Sequence, residues 1–65
     1  MSINQEAINI LMYAAEMEKS GMQFFQEKSE QFQNPVTKKL FKDLAVIEQG
    51  HYDFIMQELK RYTDN

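Results

Sequence analysis

The stretch QFQNPVTK, residues 31–38, decides how this chain is organised. Asparagine is a good helix N-cap, because its short side chain accepts hydrogen bonds from the free N–H groups of a first turn. Proline suits the first helical position, and the residue before it is pushed out of helical conformation. One helix therefore ends just before Asn34-Pro35 and another begins there. The first is expected over about 3–33, opened by Ser2-Ile3-Asn4-Gln5, which has the spacing of a capping box. The second is expected over about 35–62, with Lys60 and Arg61 in its last turn, where the helix dipole favours cations. So short a join makes the pair an antiparallel helical hairpin. No strand pattern, low-complexity tract or internal repeat accompanies it, and residues 1–65 read as one all-α unit.

Composition narrows the function classes. A chain of 65 residues buries little core by itself. Chains of about 60 residues hide only about 60% of their unfolded surface, and many need a disulfide, a metal or a partner. With no cysteine, disulfides, all-cysteine zinc sites, iron–sulfur ligation and thiol nucleophiles are excluded, leaving a metal or oligomerisation. Hydrophobic residues at 43% and charged residues at 26% describe a soluble globular or coiled-coil protein. Ten acids against seven bases, a net charge of −3, argue against nucleic acid as a partner. The one basic cluster, Lys38, Lys39 and Lys42, reads as a solvated helix face. No apolar run approaches the roughly 18 residues of a membrane span, and no signal-peptide pattern is visible, so a cytoplasmic location without membrane contact is expected.

Each helix carries an apolar stripe with a polar break at its middle. In the first, Ala7, Leu11 and Ala14 lead to Glu18, then to Gly21, Phe25 and Phe32, mostly in steps of four and three. In the second, Leu40, Phe41, Leu44, Ala45 and Ile47 lead to Glu48 and His51, then to Tyr52, Ile55 and Leu59. Glu48 and His51 are three apart, so their side chains leave the same side of the helix. Counted from Asn34, Glu18 lies sixteen residues back, Glu48 fourteen forward and His51 seventeen forward. At ~1.5 Å per residue the three stand within ~5 Å of one height, about 24 Å from the turn. Two carboxylates and an imidazole meeting in an apolar layer need a common cation or a hydrogen-bond network, and a divalent metal satisfies both charge and lone pairs. The two glycines, Gly21 and Gly50, adjoin the same layer; they either make room for a ligand or are merely tolerated there.

One hairpin supplies too few ligands to enclose a metal, and doubling repairs this. The polar layer sits at the midpoint of both helices, so two hairpins packed antiparallel about a central two-fold axis merge their half-sites. The product is a homodimeric four-helix bundle holding four glutamates and two histidines. That is the ligand set of a carboxylate-bridged two-metal site. Such donors suit Fe(II) or Mn(II), although Zn(II) is also admitted.

The pattern Ala14-x-x-x-Glu18-x-x-Gly21-x-x-Phe24-Phe25, followed by Leu40-Phe41-x-x-Leu44-Ala45-x-x-Glu48-x-x-His51, resembles the first helical hairpin of rubrerythrin-like proteins of the ferritin-like superfamily. The resemblance implies a non-haem di-iron or di-manganese centre, with two metals per dimer. It makes Glu18 a terminal ligand, Glu48 the carboxylate that bridges both metals and His51 a terminal nitrogen ligand. It also implies oxidation of Fe(II) or reduction of peroxide, a ferroxidase or peroxidase-like activity that needs an external electron-donor protein for repeated turnover. No catalytic residue beyond the ligands is expected. Rubrerythrin-like chains normally carry a second such hairpin, and many a cysteine-rich rubredoxin domain; neither is in these 65 residues, and Phe25 stands where family members often have tyrosine. Self-assembling half-ferritins build the bundle from one hairpin per chain.

Two other readings stay open at this level. The chain is also readable as a metal-free helical homodimer acting as a structural or interaction module, or as a piece of a longer rubrerythrin-like protein. Met12, Met17, Met22 and Met56 read as adaptable packing rather than copper ligands. The five phenylalanines read as core and interface, and Tyr52 as a residue of the bundle edge within reach of the polar layer.

Overall fold

The computed structural model describes residues 3–63 and consists of two helices, α1 (Ile3–Gln31) and α2 (Pro35–Thr63), packed against each other along their length. Among the described residues there is no strand. The turn is built as its composition requires. Asn34 Oδ1 accepts from the backbone N–H of Val36 at 2.9 Å and of Thr37 at 3.4 Å, while its carbonyl accepts the first helical bond from Lys38 at 2.9 Å. Pro35 occupies the position where an N–H would have no partner. The cap expected at Ser2 lies outside the described residues.

The helix ends differ slightly from the periodic pattern. α1 stops at Gln31 rather than near residue 33. Phe32 leaves the helix and packs its ring 4.9 Å from that of Phe41 on α2, which closes the turned end of the hairpin. Phe25 joins them from α1, 6.0 Å from the Phe41 ring. At the far end α2 runs on to Thr63, whose hydroxyl donates to the carbonyls of Leu59 and Lys60. The resulting body measures 50 × 15 × 11 Å.

The seam between the helices is made of small residues. Ala15 and Ser29 on α1 and Ala45 on α2 are the buried positions among those described. Their short side chains let the two backbones come close, and Ser29 is satisfied by donating to the Gln26 carbonyl at 2.7 Å. The predicted stripe flanks this seam, because Leu11, Glu18, Phe25 and Phe41, Glu48, Ile55 lie one heptad position aside and are half-buried. Leu40 and Ile47, expected on the core stripe, are instead more than half exposed. They belong to an outer row, Leu40, Ile47 and Phe54, at seven-residue spacing. Ile10, Met17 and Phe24 form its counterpart on α1, and every member of both rows is more than half exposed. Among the described residues no helix is long and apolar enough to cross a membrane. Of the lysine cluster, Lys39 and Lys42 are exposed and Lys38 is half-buried, and Lys39 pairs with Asp43 at 2.8 Å.

The turn generates a direct expectation. Asn34→Ala removes two capping bonds and should cost about 1 kcal/mol, read as a lower urea midpoint at unchanged slope, whereas Asn34→Asp, which keeps the acceptor, should lie close to the native chain.

Candidate metal centre

Glu18 stands near the middle of α1, and Glu48 and His51 near the middle of α2, one helical turn apart. The short turn fixes the register of the helices, so residues at matching distance from it become neighbours across the seam. The three side chains meet: one donor atom from each lies within 4.8 Å of the others, and they form the metal-competent group among the described residues. His51 presents Nδ1 to both carboxylates, 3.4 Å from Glu18 Oε2 and 3.7 Å from Glu48 Oε1. These distances are within ion-pair range. The 3.4 Å contact is not aligned as a hydrogen bond, and Glu18 Oε2 is buried without a hydrogen-bond partner.

The environment is graded from the seam outward. The Glu18 and Glu48 side chains are 27% and 23% exposed, while that of His51 is 56% exposed. The sequence pattern placed all three in an apolar interior; in the hairpin the carboxylates are inside its flank and the imidazole is at an open edge. His51 is one turn from both Ile47 and Phe54, so the open edge is continuous with the exposed apolar row of α2. The Glu48 carboxyl is pushed above its ordinary value of 4.5. The main cause is the neighbouring Glu18 carboxyl, with which a protonated Glu48 hydrogen-bonds; burial and the Glu18 charge add to it, and His51 opposes it.

The glycines separate in the structure. A Cβ on Gly21 would stand 2.7 Å from Glu48 Oε2 and 3.5 Å from the carboxyl carbon, so the Glu48 head rests in the space that Gly21 leaves. Gly50 has nothing within 4 Å of an equivalent Cβ. The expectation that small residues make room around the polar layer therefore holds at Gly21 and not at Gly50. Tyr52 is half-buried along the seam and makes no hydrogen bond to the cluster. The residues the pattern did not single out are Ala15 and Ser29, whose signal was their fourteen-residue spacing, two heptads, on one face of α1.

Chemically, two carboxylates and an imidazole nitrogen converging from two helices are hard and borderline donors of the kind that take a divalent first-row cation. Comparison with known proteins points the same way. No curated protein and no solved structure matched the chain. The sequence model of the family described as Rubrerythrin matches residues 9–65, which include the turn and all three cluster residues. By that match, this chain belongs to the rubrerythrin family.

Proposed function

We propose that two copies of this chain pair to hold a carboxylate-bridged di-iron or di-manganese centre at their interface, and that Fe(II) is oxidised or peroxide reduced there. The observation that carries the reading is the buried, unpartnered Oε2 of Glu18, set among donors from Glu48 and His51. A carboxylate oxygen withdrawn from water is costly unless something replaces the lost hydrogen bonds, and a bound cation does so. The space at Gly21 that accepts the Glu48 head supports the same fit. Glu18 and His51 would be terminal ligands and Glu48 the bridging one.

Glu18, Glu48 and His51 would hold the metal pair, which when bound would supply the two electrons that, with two protons, turn hydrogen peroxide into two waters. The chain's own part is to supply negative charge and to move a proton. Glu48 ligates only after losing its proton, so metal uptake releases one wherever Glu48 is protonated beforehand. His51 stands at the open edge, where an oxidant and water arrive from outside. Repeated turnover takes an external reductant protein, and a cysteine-free composition fits a reducing, cytoplasmic setting.

Ligand count and surface chemistry together support the second copy. One hairpin offers two carboxylates and one imidazole, and two copies offer the full set of a two-metal bundle site. The rows Ile10, Met17, Phe24 and Leu40, Ile47, Phe54 are the apolar surface a second copy would cover. They border the cluster on both helices, since Gly21 is one turn from Met17 and Phe24 just as His51 is from Ile47 and Phe54.

Three measurements test this reading. Anaerobic titration with Fe(II) should saturate at two metals per dimer and yield ferric absorption in the near ultraviolet on adding peroxide; Glu18→Ala and His51→Ala should each abolish both, and unchanged stoichiometry in either variant ends the proposal. Light scattering should give the mass of a dimer, and Phe54→Asp, which appears twice in a symmetric interface, should shift it toward monomer. The third is a pH profile of stability in the metal-free protein. Because the folded-state Glu48 value is raised, its contribution is fully present below 4.5 and is lost as pH rises through the folded-state titration. The native chain should therefore lose stability relative to Glu48→Gln across that window, and parallel profiles for the two would contradict the assigned environment.

A further inference from the structure

We infer that Gly21 is a positioning residue for the metal centre: the volume its missing side chain leaves is what holds the Glu48 carboxylate in the cluster. The inference rests on the metal reading above and adds a residue that is not itself a ligand.

Two glycines lie inside helices of this chain, where glycine is unfavourable. Neither has a positive φ, so neither is required by backbone conformation. Space is the remaining reason, and it applies to only one of them. At Gly21 an added Cβ would meet Glu48 Oε2 at 2.7 Å, closer than such atoms approach; at Gly50 it would meet nothing. The atom in the way is the far end of a flexible side chain, so the fold can accept alanine at position 21 by swinging the Glu48 carboxylate aside. Such a swing would displace the carboxylate from its place in the cluster, where Oε1 lies 3.7 Å from His51 Nδ1. Alanine at position 21 is thus favourable for the helix and unfavourable for the site, two effects of opposite sign on two separate measurements.

The test uses the full chain and Mn(II) alone as probe, with bound metal read from the loss of the free-ion paramagnetic resonance signal and unfolding followed separately in chelator. Gly50→Ala should raise the metal-free midpoint by roughly 4–8 °C and leave Mn(II) affinity unchanged. Gly21→Ala should keep or raise the metal-free midpoint while weakening Mn(II) by about 10–100-fold, the range seen when groups that orient a ligand are altered. Adding Glu48→Asp, which draws the carboxylate back by one methylene, should recover affinity relative to Gly21→Ala alone. Native-like Mn(II) affinity in Gly21→Ala, in a chain where Glu18→Ala abolishes binding, overturns the role of Gly21 and leaves the metal centre standing. A metal-free midpoint that falls in Gly21→Ala assigns the glycine to packing and also overturns it. Failure of the native chain to bind Mn(II) or Fe(II) removes the centre and this inference with it.

Discussion

The carboxylates of Glu18 and Glu48 face each other across the seam of a rod two helices thick, and water solvates neither of them fully. Bringing like charges together in a poorly solvated place is unfavourable, and the shift of Glu48 records it. Nothing in the helix pair obliges glutamates to be there: leucine at both positions would extend the stripes already formed by Leu11, Phe25, Phe41 and Ile55. Replacing buried charge by apolar side chains often leaves a protein as stable or more so. The acids make sense where something positive returns what the fold gives up, and His51 alone does so incompletely, since it leaves Glu18 Oε2 without a hydrogen bond.

The same thinness governs stability. Alanine and serine at the seam bring the helices close, but they bury little apolar area, and the larger side chains remain on the outside in two rows. Small seam residues and exposed large ones are the reverse of a self-sufficient hairpin, in which the bulky residues would fill the contact. The arrangement is economical only if the outer rows are covered in turn, as in a bundle where each helix has two neighbours. Ile10, Met17 and Phe24 on one helix, and Leu40, Ile47 and Phe54 on the other, occupy equivalent heptad positions, so a two-fold related copy presents complementary rows of the same kind.

What the sequence disclosed is what depends on local chemistry and fixed geometry. Asn34-Pro35 is a cap that works through three neighbouring residues, so its reading required no tertiary knowledge, and the bonds to Val36 and Thr37 are those it prescribes. The meeting of Glu18, Glu48 and His51 follows from the constant rise of a helix counted from one known point. Rotation about the helix axes was less legible. Ala15 and Ser29 carry too weak a hydrophobic signal to identify the seam, and Leu40 and Ile47 carry a strong one although the hairpin leaves them exposed. Gly21 and Gly50 are alike in sequence, each within three residues of a cluster glutamate; only coordinates separate the one that faces a carboxylate from the one that faces open space.

In the proposed dimer, metal binding and assembly would be a single equilibrium viewed from two sides. A half-site with three donors and an exposed imidazole holds a cation weakly, because its remaining coordination positions go to water. The complete site would form only where two half-sites meet, so the cation would favour the dimer by its difference in affinity between the two forms, and the dimer would favour the cation by the same factor. Such coupling would also stabilise the thin hairpin, because a ligand that binds the assembled state and not the unfolded one stabilises it in proportion to the logarithm of its concentration over its dissociation constant. A single ferritin-like chain that supplies both hairpins has its sites preassembled by connectivity. In the proposed dimer the metal, held by the acids of the seam, would play the part that such a connection plays, keeping two half-sites together.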